Sequence, residues 1–99
     1  MLSEKQLQKL AKEATGTESL TEAIEVALRG YVEQKLSQYE ATITELEARY
    51  GVDFNAFEAK VGNELPLSWE NEQAYMTWQE AITNLEHFHE IAAKLKVHA

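Results

Sequence analysis

The chain has 99 residues, enough for one domain with a modest core. Nine Lys and Arg stand against seventeen Asp and Glu, a formal net charge of −8. Such a chain is repelled by nucleic-acid phosphates and anionic lipid, and it suits a basic protein partner. Simple solubility is an alternative explanation, because many cytosolic proteins are this acidic. There is no cysteine, which excludes disulfides and thiolate metal sites.

The distribution of helix-breaking residues predicts an all-α fold. Proline occurs once and glycine four times, and no segment shows sustained period-two alternation, so we expect no strand. The apolar runs are too short for a membrane span or a signal peptide. We therefore expect one elongated helical domain over residues 1–99, located in the cytoplasm, with no direct contact to membrane or nucleic acid.

Residues 1–36 are predicted to form a helix-turn-helix hairpin. Ser3 begins the first helix as an N-cap, with Gln6 in the capping-box position, and Gly16 ends it. Ser19 caps the second helix, with Glu22 three residues later. Gly30 lies inside that helix, where it marks either a close helix crossing or a kink.

From residue 37 to residue 50 the apolar pattern narrows to steps of three and four, which is typical of a coiled-coil seam, and Gly51 is predicted to end the helix. A continuous helix from residue 19 to residue 50 would be roughly 48 Å long, whereas a compact domain of this length has a radius of gyration near 13 Å. We expect a second copy of the chain to cover the seam and the hairpin. The predicted dimer interface comprises Leu20, Ile24, Leu28, Leu36, Tyr39, Ile43, Leu46 and Tyr50.

Residues 51–67 are predicted to hold a short third helix and a loop. Asp53 caps the helix in "DFNAFEAKVG", which Gly62 closes, and the loop contains Pro66. Ser68 then caps a C-terminal helix over 68–97. Its apolar spacing matches that of the second helix, so we expect the two to pack antiparallel.

The sequence contains no pattern typical of an active site, so we expect no catalytic residue, cofactor or metal, and no enzyme. There is no glycine-rich phosphate loop, and three of the four serines occupy capping positions. The alternative is a di-metal carboxylate protein, because Glu86 and His89 have the Glu-x-x-His spacing of di-iron bundles. Glu86 lies at the edge of the apolar stripe, however, and the second helix offers no acidic residue on its seam to complete such a site.

Large apolar side chains crowd around the loop and the start of the last helix. Trp78 and Tyr75 belong to the core stripe, whereas Met76 lies off it and Trp69 occupies the first turn. Exposed Trp, Tyr and Met are typical of binding hot spots. We expect partner binding by Leu65, Leu67, Trp69, Tyr75 and Met76. The alternative is that Trp69 folds over the end of the core.

The segment "LQKLAKEATGTESLTEAIEVALRGYVEQ" resembles the helix–turn–helix half of ribbon–helix–helix proteins, including VapB-like antitoxins. The shared positions are Gly16, Ser19, Glu22, Ala23, Ile24, Ala27, Leu28 and Tyr31. Those proteins read DNA with a strand before the first helix, but only Met1 and Leu2 precede the Ser3 cap. The resemblance therefore implies a dimerising helix pair and a toxin partner, without DNA reading.

Residues 45–88 resemble the tail of small acidic antitoxins of the TumA-like kind. The matching positions are Tyr50, Gly51, Val52, Asp53 and Phe54, then Ser68, Trp69 and Glu70, then Tyr75 and Trp78. The two resemblances imply a non-catalytic antitoxin that neutralises a cognate toxin, expected to be a basic ribonuclease. The main alternative is a structural or adaptor protein, an obligate helical dimer whose aromatic residues are all internal.

Overall fold

A computed structural model describes residues 1–95, which form four α-helices. They are α1 (Glu4–Thr15), α2 (Leu20–Tyr50), α3 (Phe54–Lys60) and α4 (Trp69–Leu95). The described part of the chain measures 58 × 31 × 17 Å and has a radius of gyration of 19.0 Å, well above the roughly 13 Å of a compact domain this size. The predicted all-α, elongated fold with a long central helix is confirmed.

The helix ends follow the predicted capping residues. Ser3 Oγ accepts from the Gln6 amide at 3.1 Å, and the Gln6 side chain accepts from the Ser3 amide at 2.8 Å. Ser19 Oγ accepts from the amide of Glu22 at 3.1 Å. Gly16 and Gly51, with φ of 68° and 71°, end α1 and α2 in the left-handed conformation that glycine adopts without penalty.

The loop between α3 and α4 is held by its own backbone hydrogen bonds. α3 ends at Lys60, so Gly62 lies just beyond its C-cap, with φ of 88°. The Gly62 amide donates to the Leu65 carbonyl at 2.8 Å, and the Leu65 amide donates to the Lys60 carbonyl at 3.0 Å. This loop is therefore a compact turn with a defined path into α4.

The long helices α2 and α4 pack against each other as antiparallel neighbours, as predicted. At one end, Tyr50 of α2 meets Asn71 of α4. At the other end, Val32 and Leu36 of α2 form a buried cluster with Ala92 of α4. A second buried cluster lies at the α3 end of the pair and contains Leu46, Phe57, Ala74 and Trp78.

α4 of the same chain fills the seam of α2, which changes the expected dimer interface. The prediction assumed that a helix this long would leave its seam wet, but α4 has 27 residues, about 40 Å at 1.5 Å per residue. Leu36 and Leu46 are buried. Tyr39 packs on Phe88, and Ile43 and Tyr50 pack on the Trp78 cluster. These five predicted interface residues therefore all pack against other parts of the same chain.

The N-terminal ends of α1 and α2 leave apolar side chains in solvent. α1 buries no residue, and Leu7 and Leu10 are about half exposed. On α2, Leu20 is half-buried, whereas Ile24 and Leu28 are exposed. These three are the members of the predicted dimer interface that α4 does not cover.

Gly30 lies within α2, which is uninterrupted from Leu20 to Tyr50. Among residues 1–95, no atom outside α2's own local backbone and Gly30's immediate neighbours lies within 4 Å of a Cβ atom placed on Gly30, so the glycine does not mark a close crossing with another described helix of the same chain. Among residues 1–95, none of the helices combines the length and apolarity needed to cross a bilayer. The predicted last turn of the C-terminal helix, residues 96 and 97, lies outside the described residues.

The two tryptophans give a matched test of the core. Trp78 is fully buried, with Phe57, Phe54 and Tyr50 rings within 6.2 Å, whereas Trp69 is exposed. We expect Trp78→Ala to lower the free energy of unfolding by about 3–5 kcal/mol, because it opens a cavity in the aromatic cluster. Trp69→Ala should stay within about 0.5 kcal/mol. Urea unfolding followed by circular dichroism measures both, and equal losses would contradict the assignment of Trp78 as the core residue.

Candidate partner-binding surface

Three large apolar side chains at the start of α4 point into solvent. Trp69 is 76% exposed, Leu67 70% and Met76 62%. Trp69 and Met76 are seven residues apart, so they lie on the same side of α4, about 10 Å apart along its axis. Leu67, Trp69 and Met76 are together called the Trp69 patch below. The alternative, that Trp69 folds over the end of the core, does not match this exposure.

A buried asparagine fixes the backbone that carries the Trp69 patch. Asn71 Oδ1 accepts from the Tyr50 hydroxyl at 3.0 Å, and its Nδ2 donates to the Pro66 carbonyl at 2.8 Å. Its backbone amide donates to Ser68 Oγ at 3.1 Å, which caps α4 as predicted. These bonds tie the C-terminal end of α2, the loop and α4 together on either side of Leu67 and Trp69.

The sequence pattern did not single out Asn71, which occupies the first turn of α4. Asn71 is 8% exposed and is a buried polar residue. An asparagine in a helical pattern ordinarily marks a solvated position. Nothing in its spacing indicated that it would bridge two other segments.

Two grooves border the Trp69 patch. One, of about 470 Å³, is lined by Leu67 and Met76 together with Val61 and Tyr75, and Glu58 and Glu72 stand at its edge. The other, of about 340 Å³, lies beside Trp69. Its lining residues are Glu45, Leu46, Arg49, Trp69, Glu70, Gln73, Ala74 and Thr77. The Trp69 patch is therefore not flat, because its apolar side chains form ridges between two concave sites.

The remaining two predicted partner-binding residues lie beneath the patch. Leu65 and Tyr75 are half-buried and pack against the cluster around Trp78. The Tyr75 hydroxyl donates to Glu58 Oε2 at 2.7 Å, which joins α4 to α3. Of the five predicted residues, three are therefore exposed to solvent and two are half-buried against the core.

The surroundings of the patch are strongly acidic. Residues 58–80 contain five glutamates and one lysine, a net charge of −4. The lysine is Lys60, whose Nζ lies 3.9 Å from Glu64 Oε2. Arg49 pairs with Glu45, and both residues line the second groove. Carboxylates around an apolar centre favour a basic partner.

The described part of the chain shows no arrangement of side chains that supports the alternative of a di-metal site. Glu86 and His89 are both exposed on α4. Among residues 1–95, no three His, Asp or Glu side chains come close enough together to hold a metal ion.

Comparisons with known proteins identify no relative. The chain matches no family model, no curated protein and no solved structure.

The hydrogen bond between Tyr75 and Glu58 leads us to predict a shifted pKa for Tyr75. It raises the pKa of Tyr75 above its ordinary value of 10, with smaller contributions from partial burial and from the Glu58 charge. A raised pKa in the folded state means that the associated stability is complete below about pH 10 and is lost as the pH rises through the folded pKa. Ultraviolet titration of the phenol should show Glu58→Gln lowering the pKa of Tyr75. An unchanged pKa would show that the two groups do not interact in solution.

Proposed function

We propose that this chain is a non-catalytic binding protein of the antitoxin type, which neutralises a basic toxin with ribonuclease activity. The observation that carries the proposal is the exposure of Trp69, a residue that soluble proteins seldom leave in water away from binding sites. The antitoxin resemblances of residues 7–34 and 45–88 agree with it and add the class of partner.

Charge and apolar contact have separate roles in the proposed complex. The glutamates of residues 58–80 steer a cationic partner toward this end of the rod and speed association. The side chains of the Trp69 patch are then desolvated by contact with the partner, which slows dissociation as central aromatic anchors do. Because the loop and α4 are already fixed by Asn71, little ordering of the backbone opposes binding.

Neutralisation requires no chemistry in this mechanism. A ribonuclease holds RNA through a cationic surface that contacts phosphates. The acidic rim of the Trp69 patch offers carboxylates to the same cations, so the bound protein excludes RNA by occupying its place.

The test takes as partner the short basic protein expected from the neighbouring reading frame. That protein is co-expressed and co-purified with this chain. We expect Trp69→Ala to weaken the complex by more than about 2 kcal/mol, measured by titration calorimetry. Tyr31→Ala is the matched control, because Tyr31 is also an exposed aromatic residue but lies in the first half of α2. Unchanged affinity with Trp69→Ala, or no complex with the neighbouring product, would contradict the proposal.

A second candidate is a structural or adaptor protein that acts as a helical dimer, and the N-terminal end of the rod favours it. Leu7 and Leu10 on α1, with Ile24 and Leu28 on α2, form half-exposed apolar stripes that nothing in the described chain covers. Residues 1–36 hold five basic and six acidic groups, a net of −1, whereas residues 37–95 hold three and eleven, a net of −8. Two copies can approach through the nearly neutral end while their acidic parts stay apart.

Sedimentation velocity of the full chain across the micromolar range tests self-association. We expect a dimer, and we expect Ile24→Glu combined with Leu28→Glu to give a monomer, because the two carboxylates would lose water in the contact. Ala41→Glu is the control, since Ala41 is exposed on α2 outside the hairpin. A monomeric wild-type chain would remove the dimer candidate, and the Trp69 proposal would stand.

A further inference from the structure

We propose that the groove lined by Leu67 and Met76 receives the apolar face of a partner helix that carries arginine or lysine one turn away on either side. This inference rests on the proposed function, because it specifies the chemistry of the partner segment that docks beside Trp69. It concerns a different concave site from the groove that Trp69 itself lines.

The groove is built before any partner arrives. Leu67 forms one wall, and its side chain lies against Gly62, where a Cβ atom would sit 3.8 Å from Leu67 Cδ2. The Tyr75 hydroxyl bonds Glu58 at 2.7 Å and so links the α3 side of the groove to the α4 side. The loop that bears Leu67 is fixed at its ends by the Gly62–Leu65 and Asn71–Pro66 hydrogen bonds.

The interior of the groove selects apolar side chains. Val61, Leu67 and Met76 present aliphatic or thioether surface, and methionine adapts its shape to irregular apolar ligands. Grooves of several hundred Å³ enclose drug-sized groups, so a volume of about 470 Å³ has room for side chains from one turn of a helix.

The rim selects the charge of the neighbouring residues. Glu58 and Glu72 both line the groove and are exposed to solvent, and Glu58 uses only Oε2 in its bond to Tyr75. Neither carboxylate has an ion-pair partner among residues 1–95. An apolar helix face laid into the groove would bring residues one turn away over these carboxylates, since positions three and four apart share a helix face. Arginine and lysine meet that requirement, whereas glutamate and aspartate would be repelled.

The probe is a pair of synthetic amphipathic helical peptides with the same leucine face, one carrying arginine beside the leucines and the other glutamate. The full chain is titrated with each, and the methyl resonances of Leu67 and Met76 are followed by NMR spectroscopy. We expect the arginine peptide to shift both resonances saturably, with an affinity that falls as salt is added. The glutamate peptide should leave them unchanged.

Two double variants separate rim charge from overall charge. Glu58→Gln with Glu72→Gln should weaken the arginine peptide about tenfold, whereas Glu40→Gln with Glu90→Gln removes the same charge from other exposed positions and should change little. The groove assignment would be overturned if the arginine peptide caused no shift or if both peptides caused equal shifts. It would also be overturned if both double variants lost equal affinity for the arginine peptide. A partner complex that is lost on Trp69→Ala but indifferent to the Glu58 and Glu72 changes would overturn it as well, while leaving the proposed function intact.

Discussion

The packing of α4 along α2 is the constraint on which the other features of this protein depend. Trp78 is its centre: the indole is fully buried and meets rings from α2 and α3 at centroid distances of 5.1–6.2 Å. Because Trp78 faces the core, residues on the opposite side of α4 must face solvent. Trp69 and Met76 occupy that opposite side, so the exposure of the candidate binding surface follows from the burial of Trp78.

The helical architecture could be predicted because its signals are local. Ser3 and Ser19 as caps, Gly16 and Gly51 as stops and the apolar spacing of the long helices each act through a few neighbouring residues. The same spacing predicted that α4 packs along α2, but it did not show how much of the α2 seam α4 would cover. A coiled-coil pattern is satisfied equally by a second copy or by α4 of the same chain, and the length of α4, given by the sequence, was the deciding quantity.

The candidate site was predicted in composition but not in arrangement. Residue type and helical phase identified five candidate residues, which are Leu65, Leu67, Trp69, Tyr75 and Met76. They did not distinguish the three exposed residues from the two half-buried ones. That separation depends on α3, which packs its Phe54 ring 5.3 Å from Tyr75, and on Asn71, whose bonds reach Tyr50 and Pro66. Contacts between residues far apart in the chain leave no periodic trace in the sequence.

The charge distribution along the rod gives its two ends different preferences. Interactions between exposed charges fade over roughly 8–10 Å at physiological salt, whereas the described chain is 58 Å long, so the charge at one end has little effect at the other. The body, with a net of −8 over residues 37–95, repels acidic surfaces and other copies of itself. The first 36 residues, with a net of −1 and half-exposed leucines, carry no such barrier. A basic partner at the Trp69 patch and a second copy at the hairpin would therefore not compete, and occupation of one surface need not weaken the other.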